Sequence, residues 1–210
     1  MGMKSINGKV AFSEIKSNQL NMAKLYYRYG AMGSSKTANT LMVRYNYLEK
    51  WQNPILLKPR AETRDGENIL RSRIGLEAEC GIVEDFIRDF DWNTSHIDAI
   101  IIDEANFLSR EQVDFFAQIA DEKWIPVLCY GLRSDFKSEL FAGSKRLFEI
   151  ADVIEEIPTV CWCGKRAHFN ARIMNGKIVR EGEQFFLGGN ESYVSLCRRH
   201  YISGDISSPL

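Results

Sequence analysis

The sequence lacks the features of membrane and secreted proteins. No apolar run approaches the roughly 20 residues that a membrane-spanning helix needs. The N-terminal region has no continuous apolar stretch of the kind found in secretory signals. Charge of one sign is not in excess, since 27 Lys and Arg residues face 28 Asp and Glu residues and the formal net charge is -1. A dedicated nucleic-acid binder needs a basic surface, which this balanced charge does not suggest. From these absences together we expect a cytoplasmic protein whose partners are neither membranes nor nucleic acids.

Cysteine is also scarce, and its number does not suit a disulfide framework. The chain has five cysteines, an odd number, and thiols stay reduced in the cytosol. Three of them fall in the last 50 residues, close to a histidine, which favours a metal site over disulfides. The two others, Cys80 and Cys129, are expected to be ordinary core or near-core residues.

The pattern of apolar segments divides the chain into four parts. Residues 1–22 are polar and without periodicity, so we expect a disordered extension. In residues 23–157 strand-like and helix-like segments alternate, which predicts an α/β unit with a parallel sheet and helices on both faces. Residues 158–203 are rich in glycine, cysteine and turns, and form a unit too small to fold without a staple. Residues 204–210 are expected to be a flexible tail.

Periodicity and turn signals predict the elements of the α/β unit. A capping box at Ser109 and Gln112 predicts the start of one helix, which runs to about residue 122. The stretch 59–76 is charged and contains glycine, so we expect a long surface loop. The expected strands are 24–29, 55–58, 97–102, 126–130 and 153–157, and the other helices are 36–50 and 145–151.

One loop has the sequence expected for binding phosphate. It follows a predicted strand and opens a predicted helix, so its backbone N–H groups could surround anionic oxygens. Lys36 would bridge the β- and γ-phosphates of ATP, and the Thr37 hydroxyl would face Mg²⁺. Ser35 departs from the usual pattern, which has glycine before the lysine, so an ordinary strand-to-helix turn is the alternative. The candidate ATP-binding residues of this loop are Gly30, Ala31, Met32, Gly33, Ser34, Ser35, Lys36 and Thr37.

A second candidate element is an apolar strand that ends in two carboxylates. Asp103 and Glu104 follow three isoleucines. In proteins with a phosphate loop such an aspartate holds Mg²⁺, usually through water. Asp103 is therefore assigned to ATP and Mg²⁺, and Glu104 becomes a candidate general base. The alternative is that the two carboxylates belong to an ordinary helix-capping turn. Their position in the chain, after the candidate phosphate loop and at the end of a strand, favours a nucleotide site.

Two short-spaced pairs predict a structural zinc site. Cys161 and Cys163 are separated by one residue, and Cys197 and His200 by two. Three thiolates and one imidazole give the closed tetrahedral set of a structural zinc. Buried thiols without a metal are the alternative, and His168 could replace His200 as the fourth ligand.

Taken together, these segments resemble the type II thymidine kinase family. The resemblance runs from about residue 22 to 201 and is carried by YGAMGSSKT, KPRAETRDG with SRIG, DEANFL, CYGLRSDF with ELF, CWCG and GGNESYVSLCRRHY. It implies a P-loop, RecA-like fold with a small C-terminal zinc-binding lasso domain. It also implies transfer of the γ-phosphoryl group of ATP to the 5′-hydroxyl of thymidine, with Glu104 as the base.

The resemblance assigns further residues and partners. Arg64 would lie near the phosphates, with Glu62 where the family more commonly has aspartate. The alternative for Arg64 is an ordinary salt-bridged surface residue, and the alternative for Phe136 and Phe186, which the resemblance places in the nucleoside pocket, is a position in the core. The family is commonly homotetrameric and inhibited by dTTP, and deoxyuridine is a possible second substrate. The expected thymidine pocket consists of Phe136, Phe186, Leu187, Gly188, Gly189, Asn190 and Tyr193.

Two other classes of protein remain open at this point. The same phosphate loop and zinc site could belong to a RecA-like ATPase with a nucleic-acid-binding zinc module, which the balanced charge disfavours. The departure at Ser35 would also suit a nucleotide-binding protein without catalytic activity.

Overall fold

A parallel sheet of six strands forms the centre of the protein. The computed structural model describes residues 23–63, 66–93, 96–182, 184 and 193–206. The strands of the sheet are β1 (Leu25–Gly30), β2 (Pro54–Lys58), β5 (Gly81–Ile82), β6 (Ala99–Ile102), β7 (Val127–Leu132) and β8 (Val153–Glu156). Their order is β5-β2-β6-β7-β1-β8, and every neighbouring pair is parallel.

Helices cover both faces of this sheet, as the sequence predicts. Alternate residues of β6 point to opposite sides, because a strand has a side-chain period of two. Ile100 and Ile102 belong to one buried cluster and Ala99 and Ile101 to another. The helices are α1 (Lys36–Leu48), α2 (Val83–Asp89), α3 (Arg110–Lys123), α4 (Ala142–Ile150) and α5 (Arg198–Ser203), with a 3-10 turn at Ala105–Phe107. The first cluster includes side chains of α3 and the second a side chain of α1, so helices pack on both faces.

Local sequence signals predict the start of α3 correctly but predict the buried face of α1 only in part. The Ser109 hydroxyl accepts from the Gln112 backbone, and the Gln112 side chain accepts from the Ser109 backbone, so the predicted capping box is present. In α1, Leu41, Tyr45 and Leu48 recur at spacings of four and three, which predicts one buried face. Only Leu41 is buried, while Tyr45 is 59% and Leu48 42% exposed. The buried residues of α1 thus lie in its first half, while Tyr47 in the second half packs partly buried against the same cluster as Leu41.

The prediction of one long loop over residues 59–76 was wrong. An antiparallel hairpin occupies its second half and extends beyond it, with strands β3 (Ile69–Arg71) and β4 (Glu77–Glu79). Lys58 is fully buried, and its ammonium donates to the carbonyls of Gly66 and Ile69 at 2.5 and 2.9 Å. Strands of three residues with mixed charge carry little alternation, so the sequence pattern hid them.

Five short strands and α5 make up what we call the C-terminal unit. Strands β9 (Thr159–Val160) and β10 (Arg166–Ala167) pair, and β11 (Phe169–Met174) lies between β12 (Lys177–Val179) and β13 (Tyr193–Leu196). A small buried cluster holds this unit together, and it includes two of the cysteines: Cys161, Ala167, Ala171, Leu196, Cys197 and Tyr201. The predicted unit boundaries remain predictions. Residues 1–22 and 207–210 lie outside the described residues.

Among the residues that the structure describes, no helix combines the length and apolarity required to cross a bilayer.

Candidate active site and metal cluster

The candidate nucleotide residues meet at the carboxyl ends of three neighbouring strands. The phosphate loop follows β1, Asp103 follows β6, and residues 133–136 follow β7. Strand β7 lies between the other two, so one strand separates the acidic strand end from the phosphate loop. In open parallel sheets, ligands bind at this edge of the strands.

The phosphate loop has the tight backbone that its glycines predict. A Cβ atom at Gly30 would lie 2.3 Å from the Ser34 hydroxyl oxygen and 2.6 Å from the carbonyl oxygen of Ile157, so only glycine fits there. Gly33 and Ser35 both have positive φ, at 73° and 62°. Left-handed residues at such spacing turn successive N–H groups toward one side, as in anion-binding nests.

Lys36 lies inside this loop. Its side chain is buried, and its ammonium donates to the carbonyl oxygen of Ala31 at 2.9 Å, with longer contacts to Gly30 and the Ser34 hydroxyl. The lysine charge is therefore held where oxygens of a bound phosphate would compete with the loop's own carbonyls.

The departure at Ser35 has a structural consequence. A residue other than glycine in the left-handed region costs on the order of 1 kcal/mol or more. Replacing it with glycine removes this cost, but the greater freedom of glycine in the unfolded chain offsets part of the gain in stability. We expect Ser35→Gly to stabilise the protein by about 0.5–1 kcal/mol and to raise its melting temperature by about 1–4 °C.

Thermal unfolding measures this effect, and Ser138 provides a matched control. Ser138 also has a positive φ, at 71°, but is exposed and outside the phosphate loop. Ser138→Gly should raise the melting temperature similarly. A Ser35→Gly protein that melts lower than the parent would show that the serine side chain stabilises the loop.

Asp103 is buried directly after β6. It is 1% exposed, and neither of its carboxylate oxygens has a partner among the described residues. Burial, and after it the charge of Glu104, raise the pKa of Asp103, while the Thr37 hydroxyl and the Lys36 charge act in the opposite direction. A buried carboxylate with two unsatisfied oxygens fits a bound cation, and Thr37 is the nearby hydroxyl.

Glu104 lies in a strained turn, and two glycines allow neighbouring backbone to pack closely against that turn. Its φ of 50° places a non-glycine residue in the left-handed region, and the side chain is half-buried. The Asn106 carboxamide oxygen accepts from the Leu132 N–H at 2.8 Å. A Cβ atom at Gly131 would lie 2.9 Å from Asn106, and one at Gly143 would lie 2.4 Å from the carbonyl oxygen of Ala105. Two close backbone contacts thus fix the turn that carries Glu104.

The hairpin β3–β4 brings a cation to the phosphate loop that the sequence did not reveal. The nearest atom to a Cβ built at Gly33 is the Arg73 Nη1, at 3.7 Å. Arg73 lies in the hairpin turn, and the SRIG segment was its only signal. Arg64, the arginine that the resemblance assigns to the phosphates, lies outside the described residues.

Two residues of the expected thymidine pocket meet through a buried arginine. The Arg172 guanidinium carbon lies 3.7 Å from the ring centroid of Phe136, and its Nε donates to the Tyr193 hydroxyl at 3.0 Å. Phe136 and Arg172 are 1% and 7% exposed. The guanidinium covers one face of Phe136, so that face is not open to a base in this structure. The pocket residues 186–190 lie outside the described residues.

The four predicted metal ligands come together. Their ligand atoms lie within 4.8 Å of one another, with Cys161 Sγ 3.4 Å and Cys197 Sγ 3.6 Å from His200 Nδ1, and Cys163 Sγ 3.9 Å from Cys197 Sγ. A tetrahedral zinc with ordinary bond lengths would separate its ligand atoms by about 3.6–3.8 Å. The donor set and its spacing therefore fit zinc.

The surroundings of this cluster support the same assignment. The His200 ring stacks on Trp162, with centroids 4.2 Å apart, and its Nδ1 faces the sulfurs. The backbone N–H of His200 lowers the pKa of the Cys197 thiol, which favours the thiolate form that binds a metal, whereas burial raises the pKa of Cys161 and acts against it. His168, the alternative ligand, instead places its Nδ1 3.0 Å from the Glu156 carboxylate. Cys80 and Cys129 are buried in the two clusters of the main sheet, as expected.

The sequence of this chain matches a family of known proteins. The family model described as thymidine kinase matches residues 23–201. The thymidine kinase of Lactococcus lactis is 43% identical over 189 residues, covering 88% of this chain and all of that protein. The thymidine kinase of Zymomonas mobilis is 43% identical over 189 residues, covering 86% of this chain and 97% of its own.

A solved structure, that of unliganded Pif1 from Bacteroides sp, has 13% identity and a TM-score of 0.38, and the match covers 73% of this chain and 42% of that one. That likeness is too low to support an argument about activity. The family match and the identities to curated relatives show that this chain belongs to the thymidine kinase family.

Proposed function

We propose that this protein transfers the γ-phosphoryl group of ATP to the 5′-hydroxyl of thymidine, giving dTMP and ADP. The observation that carries the proposal is the placement of Asp103 and Glu104 at the same sheet edge as a well-formed phosphate loop. Family membership names the acceptor, because the relatives are described as thymidine kinases.

The phosphate loop and the acidic strand end would divide the binding of ATP. The loop N–H groups and the Lys36 ammonium bind phosphate oxygens, since both are donors held at one site. Asp103 and Thr37 would hold Mg²⁺, because neither oxygen of the buried Asp103 carboxylate has a hydrogen-bond partner among the described residues. When bound, Mg²⁺ neutralises charge on the phosphates.

Glu104 would act as the general base. The thymidine 5′-oxygen bonds to the γ-phosphorus, the bond from that phosphorus to the ADP oxygen breaks, and the 5′-hydroxyl proton passes to the Glu104 carboxylate. The strained turn supports this role, because strain of this kind persists where surrounding contacts fix a residue. Gly131 and Gly143 provide those contacts.

Arg73 would add positive charge at the phosphates. We expect Arg73→Ala to weaken the affinity for Mg·ATP about tenfold, which corresponds to the loss of one charge-assisted contact of roughly 1.5 kcal/mol. Arg71→Ala is the matched control, because Arg71 belongs to the same hairpin and pairs with Glu77 at 2.9 Å. Calorimetric titration measures both, and equal affinities for the two variants would remove Arg73 from the site.

The C-terminal unit would carry the thymidine pocket and a structural zinc. Tyr193 would supply an aromatic face, and Phe136 would supply one only where the Arg172 guanidinium leaves its ring. Residues 186–190 would supply backbone groups around the base, as the family resemblance implies. Zinc at Cys161, Cys163, Cys197 and His200 would stabilise a unit whose own buried cluster is small.

Further properties follow from family resemblance and belong to the proposal. These are Arg64 at the phosphates, inhibition by dTTP, a homotetrameric assembly and a cytoplasmic location. Deoxyuridine is a second candidate substrate.

A nucleoside panel tests the proposal against its alternatives. The purified protein, ATP and Mg²⁺ should release ADP at a rate that depends on thymidine and little on purine nucleosides. ADP release that responds to nucleic acid and not to any pyrimidine nucleoside would support an ATPase with a nucleic-acid module instead. Failure to bind ATP at millimolar concentration would support a protein without catalytic activity.

A further inference from the structure

The C-terminal unit holds both backbone polar groups of one phosphate-loop residue. The N–H of Met32 donates to the Asn170 carboxamide oxygen at 2.8 Å, and the carbonyl of Met32 accepts from the Ser195 hydroxyl. A third contact joins the neighbouring residue, because the Thr159 hydroxyl donates to the carbonyl of Gly33 at 3.3 Å. Three side chains from distant parts of the sequence thus define the path of the loop before Lys36.

The two side chains on Met32 form a cross-strand pair. Asn170 on β11 lies directly opposite Ser195 on β13, so both project from the same face of that sheet. The other end of the Asn170 side chain donates to the carbonyl of Ser134 at 2.8 Å. Asn170 is 3% exposed, so both ends of its carboxamide are used inside the protein.

The next pair along this face reaches the expected thymidine pocket. Arg172 lies opposite Tyr193, two residues from Asn170 and Ser195 respectively, and therefore on the same face. It is this arginine that covers Phe136. One sheet face thus contacts the phosphate loop at one point and the candidate thymidine residues at the next.

Two of the three strands that supply these contacts, β9 and β13, end at the metal cluster. Thr159 lies two residues before Cys161, and Ser195 lies two residues before Cys197. A metal bound to both cysteines would fix the ends of β9 and β13 relative to each other. The hydroxyls of Thr159 and Ser195 would then be held close to the phosphate loop.

We propose that the C-terminal unit is a clamp that keeps the phosphate loop in its ATP-binding conformation, with Asn170 and Ser195 as its positioning residues. The inference rests on the proposed function in one respect, that this loop binds ATP. It predicts that ATP affinity depends on the C-terminal unit even when no thymidine is present. Through this face, the metal cluster and the phosphate loop are coupled.

Ser195→Ala tests the clamp through binding, with no turnover required. Calorimetric titration with Mg²⁺ and a non-hydrolysable ATP analogue, without nucleoside, should show an affinity roughly three- to tenfold weaker, as expected for one lost hydrogen bond. Ser195→Thr restores a hydroxyl in a strand and should bind within about twofold of the parent protein.

Val194→Ala is the matched control. Val194 is the neighbour of Ser195 on β13, but its side chain packs in the apolar cluster of the C-terminal unit. This change loosens the unit without removing a contact to Met32, so analogue affinity should stay within about twofold of the parent. Zinc content and melting temperature are measured on every variant.

Three results would overturn the proposal. These are unchanged affinity in Ser195→Ala, an equal loss in Val194→Ala, or no recovery in Ser195→Thr. Removing the metal with a chelator should also weaken analogue binding, and unchanged binding by the metal-free protein would break the link between cluster and loop. If the parent and its three variants bind the analogue with the affinities given above but thymidine is not phosphorylated, the proposed function fails and the clamp stands.

Discussion

Replacing Glu104 with glutamine is expected to lower kcat for thymidine phosphorylation by about 10²–10⁴-fold, which is the usual contribution of a general base. Glutamine keeps the shape of the side chain but cannot accept the 5′-hydroxyl proton. The affinity for Mg·ATP should be nearly unchanged, because the phosphate loop, Lys36 and Asp103 supply the proposed contacts. Steady-state kinetics and calorimetric titration of the same sample separate the two effects.

Glu122→Gln is the control for this substitution. Glu122 is exposed on α3 and accepts a hydrogen bond from the Gln118 side chain, so its loss of charge should leave kcat unchanged. A Glu104→Gln protein with the parent rate would exclude Glu104 as the base. A parallel loss of ATP affinity would show that Glu104 acts in binding.

Loss of the metal cluster is expected to have the largest effect on stability. Structural zinc sites contribute apparent free energies on the order of 10–16 kcal/mol in small zinc-binding peptides, and the apolar cluster of the C-terminal unit is small. Cys197→Ala should therefore abolish stoichiometric zinc binding, unfold the C-terminal unit and reduce thymidine turnover to background. Metal analysis and hydrogen exchange on β11 and β13 measure the first two effects.

Cys80→Ala provides the matched control for this prediction. Cys80 is a buried cysteine outside the cluster, so its replacement removes a thiol but no ligand. It should cost about 1 kcal/mol of stability and leave one zinc per chain. A Cys197→Ala protein with a protected C-terminal unit and parental turnover would contradict a structural role for the metal.

The features predicted well from sequence are those encoded in short segments. The tight backbone of the loop before Lys36, the buried end of β6 and the α3 capping box each depend on residues within a few positions of one another. The candidate metal ligands came from two such segments, and the spacing of each pair was enough to bring Cys161, Cys163, Cys197 and His200 together without His168.

The features missed depend on contacts between distant segments. Met32 and Asn170 are 138 positions apart, and no local pattern marks them as partners. Arg73 reaches the phosphate loop only because the β3–β4 hairpin folds back, and those strands are too short for a periodicity signal. Ser35 looked anomalous in the sequence, and only the backbone shows that it adopts the left-handed conformation that glycine favours.

The most direct test follows the phosphoryl group itself. The purified protein is incubated with Mg²⁺, thymidine and ATP labelled at the γ-phosphate, and the products are separated. The label is expected in thymidine 5′-monophosphate, in amounts equal to the ADP formed, and Glu104→Gln should lose nearly all of this transfer. Label found only in inorganic phosphate, with thymidine unmodified, would contradict the proposed phosphoryl transfer.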